Sequence, residues 1–260
     1  MSLFNYYDEP LNFEGKSLLN HIDTHYHLIL VRINYLPQRV VTMDLVIADF
    51  IIRWSHLLFG IAWIGLLYYF NFIQGGYFKT ASPEGLADAK AKLAPEALWW
   101  FRWAAMATFA TGVLLLGSLH GKGGLNTYIA ISALMATFMF LNVWLIIWPN
   151  QKIALGMQEG DAPSAGAKAL LASRTNTLFS APMAFGMLGS HNLVVGNPDY
   201  MLMGPMAEGC STGFMVTIAI ILLLELNAIF GKLGPITTVK GVIHSSLGLT
   251  AVLYLLLAYI

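Results

Sequence analysis

Cysteine is almost missing from this chain: Cys210 is the only one in 260 residues. A lone thiol excludes an intrachain disulfide, a CxxC motif and a CxxCH attachment motif, so any haem would be held non-covalently, as b-type haem is. Charge is scarce too. Only 11% of the residues are charged, with 14 basic side chains against 14 acidic ones. No basic stripe stands out, so nucleic-acid binding has no electrostatic footprint here. The first residues also lack the basic-then-apolar layout of a signal peptide, and the first helix is expected to carry the chain into the membrane.

What remains is apolar. Hydrophobic residues make up 57% of the chain and the mean hydropathy is +0.64, beyond the range of an ordinary soluble domain. The apolar stretches run for roughly 20 residues, the length that crosses about 30 Å of hydrocarbon. They predict an all-α integral membrane protein, a bundle of about six transmembrane helices in a lipid bilayer. The first is expected over about Asp44 to Gln74, the second over Glu96 to Ser118 and the third over Asn126 to Trp148. The fourth is expected over Thr177 to Val195, the fifth over Thr212 to Phe230 and the sixth over Gly241 to Ile260. Trp148-Pro149-Asn150 is expected to close the third, because an indole suits the interface and proline cannot continue the ladder.

Residues 1–42 read as an extramembranous tail ahead of a transmembrane domain over 43–260. The tail holds His21, His25 and His27, and the first two are four residues apart, as a helical metal site requires. A plain surface tail fits equally, as does a misassigned start, because Met43-Asp44 opens the first helix cleanly. Lys79, Lys90, Lys92, Lys152, Lys168, Arg174, Lys232 and Lys240 fall in the loops after the first, third and fifth helices. The loops on the other side carry only Lys122, and Lys16, Arg32 and Arg39 of the tail weaken this contrast without reversing it. The positive-inside rule then places both termini outside, periplasmic if the membrane is a bacterial inner membrane.

Polar groups inside apolar segments are costly and mark function by default. In the first helix Arg53, His56, Gly60 and Trp63 are spaced three, four and three apart, on one face. That face offers a cation, an imidazole, a gap for a flat group and an aromatic wall. His191 sits at a similar depth near the outer end of the fourth helix. Two imidazoles at equal depth can ligate one haem iron, with Arg53 on a propionate and Gly60 admitting the porphyrin edge. Single inter-helical hydrogen bonds from each histidine are the alternative. His120 is a reserve ligand at the interface. Met183 and Met187 raise copper, although methionine also fills gaps in cores.

The opposite half carries Arg102, Asn142, Asn150, Arg174, Asn176, Thr177, Glu225 and His244. Glu225 with His244 would make a proton relay, whereas Glu225 with Arg102 or Arg174 would make an ion pair. Arg102, Asn150, Arg174, Asn176 and Thr177 supply donors for an anionic, amide-rich small molecule. They could equally knit loops to helices.

Several runs share an order with a known family: Arg53-Trp54-Ser55-His56 through Trp63-Ile64-Gly65, Tyr68-Tyr69-Phe70-Asn71-Phe72, and Pro95-Glu96-Ala97-Leu98-Trp99-Trp100-Phe101-Arg102-Trp103. Trp148-Pro149-Asn150-Gln151-Lys152 and Arg174-Thr175-Asn176-Thr177, with Ser180, Pro182 and Met183, complete the set. The set resembles the membrane domain of bacterial cytochrome c-coupled urate oxidases (urate hydroxylases), and the resemblance covers most of the chain from Met43. It implies a membrane oxidoreductase of purine catabolism that passes substrate electrons to a c-type cytochrome. The chain reaches Ile260 without a CxxCH motif, so the resemblance points to a separate cytochrome as acceptor rather than a fused one. The rivals are a non-catalytic subunit or assembly factor of a respiratory complex, and a copper or small-solute transporter.

Overall fold

A computed structural model describes residues 44–122, 124–193 and 211–260. The chain divides into two compact units, Met1–Phe50 and Ile51–Ile260. In the first, residues 44–50 are helical, and Leu45, Val46, Ile47 and Phe50 are exposed.

Six long helices organise the described residues. They are α1 (Asp44–Thr80), α2 (Pro83–Gly121), α3 (Thr127–Ala154), α4 (Ala162–Asn192), α5 (Thr212–Phe230) and α6 (Val239–Tyr259). A short 3₁₀ turn, Gly234–Thr237, precedes α6. Local chemistry sets most starts. Ser82, Asn126, Ser211 and Thr238 each accept a hydrogen bond from the backbone N–H three residues on, at 2.9–3.1 Å. Asp161 does the same for α4, with Pro163 in its first turn.

Five of the six helices are long and apolar enough to cross a membrane: α1, α2, α3, α5 and α6. The exception is α4, the expected fourth span. Its 31 residues exceed the requirement for length, but its composition is too polar for the same criterion. Packing supplies the reason. α4 is the centre of the Ile51–Ile260 unit, touching α3, α5, α6 and the end of α1. A helix surrounded by protein carries small and polar residues where a lipid-facing helix carries leucine. It also starts fifteen residues before the expected Thr177, through the small-residue stretch Ala165, Ala169 and Ala172, all buried against its neighbours.

The third helix corrects another expectation. It does not close at Trp148-Pro149-Asn150 but runs on to Ala154. Residues Asn142–Ile147 form a π-helical turn, and Pro149 enters the first turn of the α-helix that follows. There the hydrogen-bond ladder is already changing register, so a missing N–H disrupts little. The Asn150 side chain donates to the Ile146 carbonyl at 2.7 Å, supplying a local bond.

The core joins Trp63, Leu67, Phe101, Met135, Met139, Phe179, Ile221 and Leu253. Close approach depends on two glycines. A Cβ on Gly186 of α4 would strike the hydroxyls of Tyr254 and Ser132, and one on Gly213 of α5 would strike the Leu256 carbonyl of α6. Close backbone approach at small residues is how membrane helices gain packing contact.

Candidate functional site

The middle of α4, from Ser173 to Ser180, is a nearly unbroken polar run held by side chains from three other helices, with a fourth joined through one of them. Asn71 of α1 donates to the Ser173 hydroxyl at 2.8 Å and to the Leu67 carbonyl at 2.9 Å. One turn of α1 away, the Tyr68 hydroxyl meets Ser180 at 2.9 Å. Asn142 of α3 donates to Asn176 Oδ1 at 3.0 Å and to Glu225 Oε2 of α5 at 3.1 Å, while Asn176 donates to the Met139 carbonyl at 2.9 Å. Ser246 of α6 donates to the Leu178 carbonyl at 2.8 Å. Thr177 is buried, with its hydroxyl turned back to the Ser173 carbonyl.

Glu225, 7% exposed, therefore takes its hydrogen bond from an amide. It forms no ion pair with Arg102 or Arg174 and no bond to His244, which lies exposed on α6. Arg102 instead stacks its guanidinium 3.8 Å from the Trp148 ring centre.

Arg174 stands apart. It is 8% exposed, and its Nε and Nη1 have no hydrogen-bond partner. A buried charge without a partner is expensive, so a stable fold retains one only for a reason. Its location follows from its neighbours. Ser173, beside it, is bonded to Asn71, and Leu178, one turn further on the same face, packs with Phe72, Ile236 and Val242. Arg174 thus lies on the face of α4 turned toward the end of α1 and the start of α6.

The end of α1 there is a π-helical turn, Tyr69–Gln74. Its Asn71 Oδ1 and Gln74 Oε1 are also buried without partners. π-Turns recur at functional sites because the wider ring frees backbone and re-aims side chains. The orphaned donors on α4 and the orphaned acceptors on α1 lie toward the same end of the unit, Asn71 level with Arg174 and Gln74 about one turn beyond. They suit a small anion that also carries N–H groups. Asn71 and Gln74 were not singled out among the candidate site residues in the sequence. Their signal was present, as two amides inside an apolar run.

The residues expected to hold haem occupy the other half. His56 is half-buried, and its Nδ1 lies 3.0 Å from the Thr108 carbonyl and 3.0 Å from the Thr111 hydroxyl of α2. Gly112 leaves room for the ring, since a Cβ there would come within 3.1 Å of His56 Cε1. An imidazole that donates from one nitrogen to a backbone carbonyl presents the other as a metal ligand, and this is the usual outer support of metal-bound histidine. The carbonyl partner sets the tautomer in which Nδ1 carries the proton and Nε2 does not. His191 is exposed in the last turn of α4. From the Tyr68–Ser180 bond, His56 is twelve residues along α1 and His191 eleven along α4, in opposite chain directions, so their heights match at ~1.5 Å per residue.

Gly60 faces Thr108 of α2, with room for a Cβ at 3.9 Å from its methyl. Trp63 is 1% exposed and belongs to the main core, whereas Arg53 is exposed. Met183 is buried in that core and Met187 packs against it. His120 is exposed at the end of α2. His21, His25, His27 and Cys210 lie outside the described residues. Among the described residues no group of three or more His, Cys, Asp or Glu is placed to hold a metal ion.

Residues 117–204 match the family described as urate oxidase N-terminal. The match takes in the end of α2 and the whole of α3 and α4, and with them Asn142, Arg174, Asn176 and Thr177. That stretch is a urate oxidase N-terminal-like region, and the resemblance carried by its Trp148–Lys152 and Arg174–Thr177 runs holds. No curated protein and no solved structure matches the chain.

Proposed function

We propose that this membrane protein, with its urate oxidase N-terminal-like region, is an oxidoreductase component that binds a small, planar, N–H-bearing anion of the urate class at Arg174. A b-type haem, held by this chain, would supply one-electron acceptance, and a separate c-type cytochrome would be its acceptor. The observation that carries the reading is Arg174, a buried guanidinium with unpaired nitrogens, inside the matched stretch.

Chemistry follows from the side chains. The guanidinium offsets the charge of the substrate and can bond two of its oxygens or ring nitrogens from one planar edge. The carbonyl oxygens of Asn71 and Gln74 accept from substrate N–H groups. Burial keeps water from competing, so these contacts select for a ligand that satisfies both. Glu225, tied through Asn142 and Asn176 to the same stretch of α4, is the buried carboxylate available for a proton released on oxidation. His56, fixed through Nδ1 to α2, and His191 are the residues that would hold a haem. Arg53, exposed on α1, would meet a propionate and Gly60 would admit the ring edge, whereas Trp63 is buried in the core behind them. Bound haem supplies one-electron acceptance near the end of the bundle opposite Arg174. On this reading haem would lie on the outer side of a bacterial inner membrane and substrate would enter from the lysine-rich side.

The test is a reduced-minus-oxidised optical spectrum of the detergent-purified chain, with His56→Ala and Arg174→Gln alongside. The reading expects a b-type Soret and alpha band, lost in His56→Ala and retained in Arg174→Gln. Urate should reduce the wild type and fail to reduce Arg174→Gln. A wild type without any haem band overturns the redox assignment and leaves a subunit whose polar groups only tie helices together.

A further inference from the structure

Trp148 carries two cations. The Arg102 guanidinium of α2 lies 3.8 Å from its ring centre and the Lys152 ammonium of α3 lies 5.7 Å from it. One indole thus gathers two like charges that repel each other, and neither takes part in a described ion pair or hydrogen bond. Glu96, the acidic residue in this part of α2, is engaged by the Trp100 indole N–H at 3.1 Å. Two cations held together without a carboxylate are a seat for an anion.

The surroundings identify what kind of anion. Leu141, Leu145, Trp148 and Lys152 follow one another along α3 as a stripe that crosses its π-helical turn, so exposure rather than ideal helical spacing fixes where it faces. Leu145 is 68% exposed and Leu141 38%, so the stripe faces outward as apolar surface and ends in the cation pair. Beside it on α2, Trp99, Trp100 and Trp103 are exposed, with Trp103 edge-on to Trp144 at 5.6 Å. Exposed indoles mark the level of the bilayer interface. Hydrocarbon surface, then indole, then two cations matches the order of groups along a phospholipid: acyl chain, glycerol, phosphate.

We propose that Arg102 and Lys152, stacked on Trp148, bind the phosphate of an anionic phospholipid whose acyl chain lies along Leu145 and Leu141. The site is independent of the Arg174 reading, because it rests on other residues and a different face. Headgroups of this class hold basic residues at the lysine-rich side of the bundle, where Lys79, Lys90 and Lys168 also fall.

The experiment titrates the detergent-solubilised full chain with short-chain phosphatidylglycerol, with phosphatidylcholine of equal chain length, and with inorganic phosphate, reading tryptophan fluorescence. Lys152→Gln and Arg102→Gln are compared with Lys168→Gln, an exposed lysine outside the stripe. Phosphatidylglycerol should bind more tightly than phosphatidylcholine. The double variant Arg102→Gln/Lys152→Gln should weaken it about thirtyfold, from the affinity each basic side chain adds at an anionic surface. Lys168→Gln should match wild type. Lys152→Gln alone, a change near the helix end, keeps the test valid if Arg102→Gln lowers the unfolding temperature. Three results overturn the proposal: equal binding of both lipids, equal saturation by inorganic phosphate, or an unchanged affinity in Lys152→Gln.

Discussion

The hydroxyl of Ser246 donates at 2.8 Å to the carbonyl oxygen of Leu178, the carbonyl four residues before Pro182 that proline leaves without an amide partner. The repair comes from a different helix. A second bond braces the same bend: the Tyr254 hydroxyl donates to the Pro182 carbonyl at 2.8 Å. Since that uses the phenolic proton, Ser132 must be the donor in its 3.3 Å contact with Tyr254. α6 therefore supplies the hydrogen bond that an unbroken α4 would make at Leu178, and adds one at Pro182.

Ser246→Ala should cost about 1–3 kcal/mol, the penalty for leaving a buried carbonyl unpaired. Thermal unfolding in detergent reads it as a lower midpoint. In a Pro182→Ala background the amide returns, so the same serine change should cost clearly less. Equal losses in both backgrounds would show that the serine acts by packing alone.

Gly186→Ala and Gly213→Ala should each destabilise the bundle by about 1–3 kcal/mol, the usual result of forcing atoms into a packed interface. Gly186 meets two hydroxyls and Gly213 meets backbone. The Gly213 change should be worse, because a carbonyl cannot rotate aside as a side chain can. Gly65→Ala, with open space around it, should be neutral or slightly stabilising through better helix propensity. Unfolding midpoints of the three variants give the ranking directly.

The apolar runs made the helices readable. α5 lies where its pattern places it, and α6 is displaced by only two residues at its start and one at its end. α4 was half-legible, because its first fifteen residues are small and polar for contact with protein rather than lipid. The Pro149 stop was misplaced because a π-turn just before it absorbs the proline, and nothing in composition announces a π-turn. Arg174, Asn176, Thr177 and Glu225 were identifiable as polar groups at one height. Their partners were not, since pairing depends on which helix faces which: Glu225 joins Asn142 rather than a cation. The orphaned acceptors of Asn71 and Gln74 become visible only when α1 is set against α4.

Asn142 is the only described partner of Glu225, and the asymmetry of that pair is measurable. Asn142→Leu strands a buried carboxylate and should cost about 3 kcal/mol or more, as breaking a buried polar pair does. Glu225→Gln keeps an acceptor oxygen for the Asn142 amide and should change stability by less than about 1 kcal/mol. Chemical or thermal unfolding separates the two. If Glu225→Gln instead proves as damaging as Asn142→Leu, the negative charge itself holds the site together.

The Arg174 prediction runs against the usual direction for a buried residue. Most buried side chains are held by contacts, and their removal weakens the fold. Arg174 keeps two nitrogens unpaired at 8% exposure, so the folded chain bears a desolvation cost there that nothing described offsets. Arg174→Met, which retains the length of the stem and drops the charge, should unfold at the same temperature or higher, a gain of up to about 2 kcal/mol. The same variant should lose any stabilisation conferred by urate. Wild type should gain stability on adding urate as log concentration rises past its dissociation constant, the behaviour of a ligand that binds the folded state alone. A fall in the unfolding temperature of ligand-free Arg174→Met would show that the guanidinium is a structural tie, and would remove the ground for placing substrate beside it.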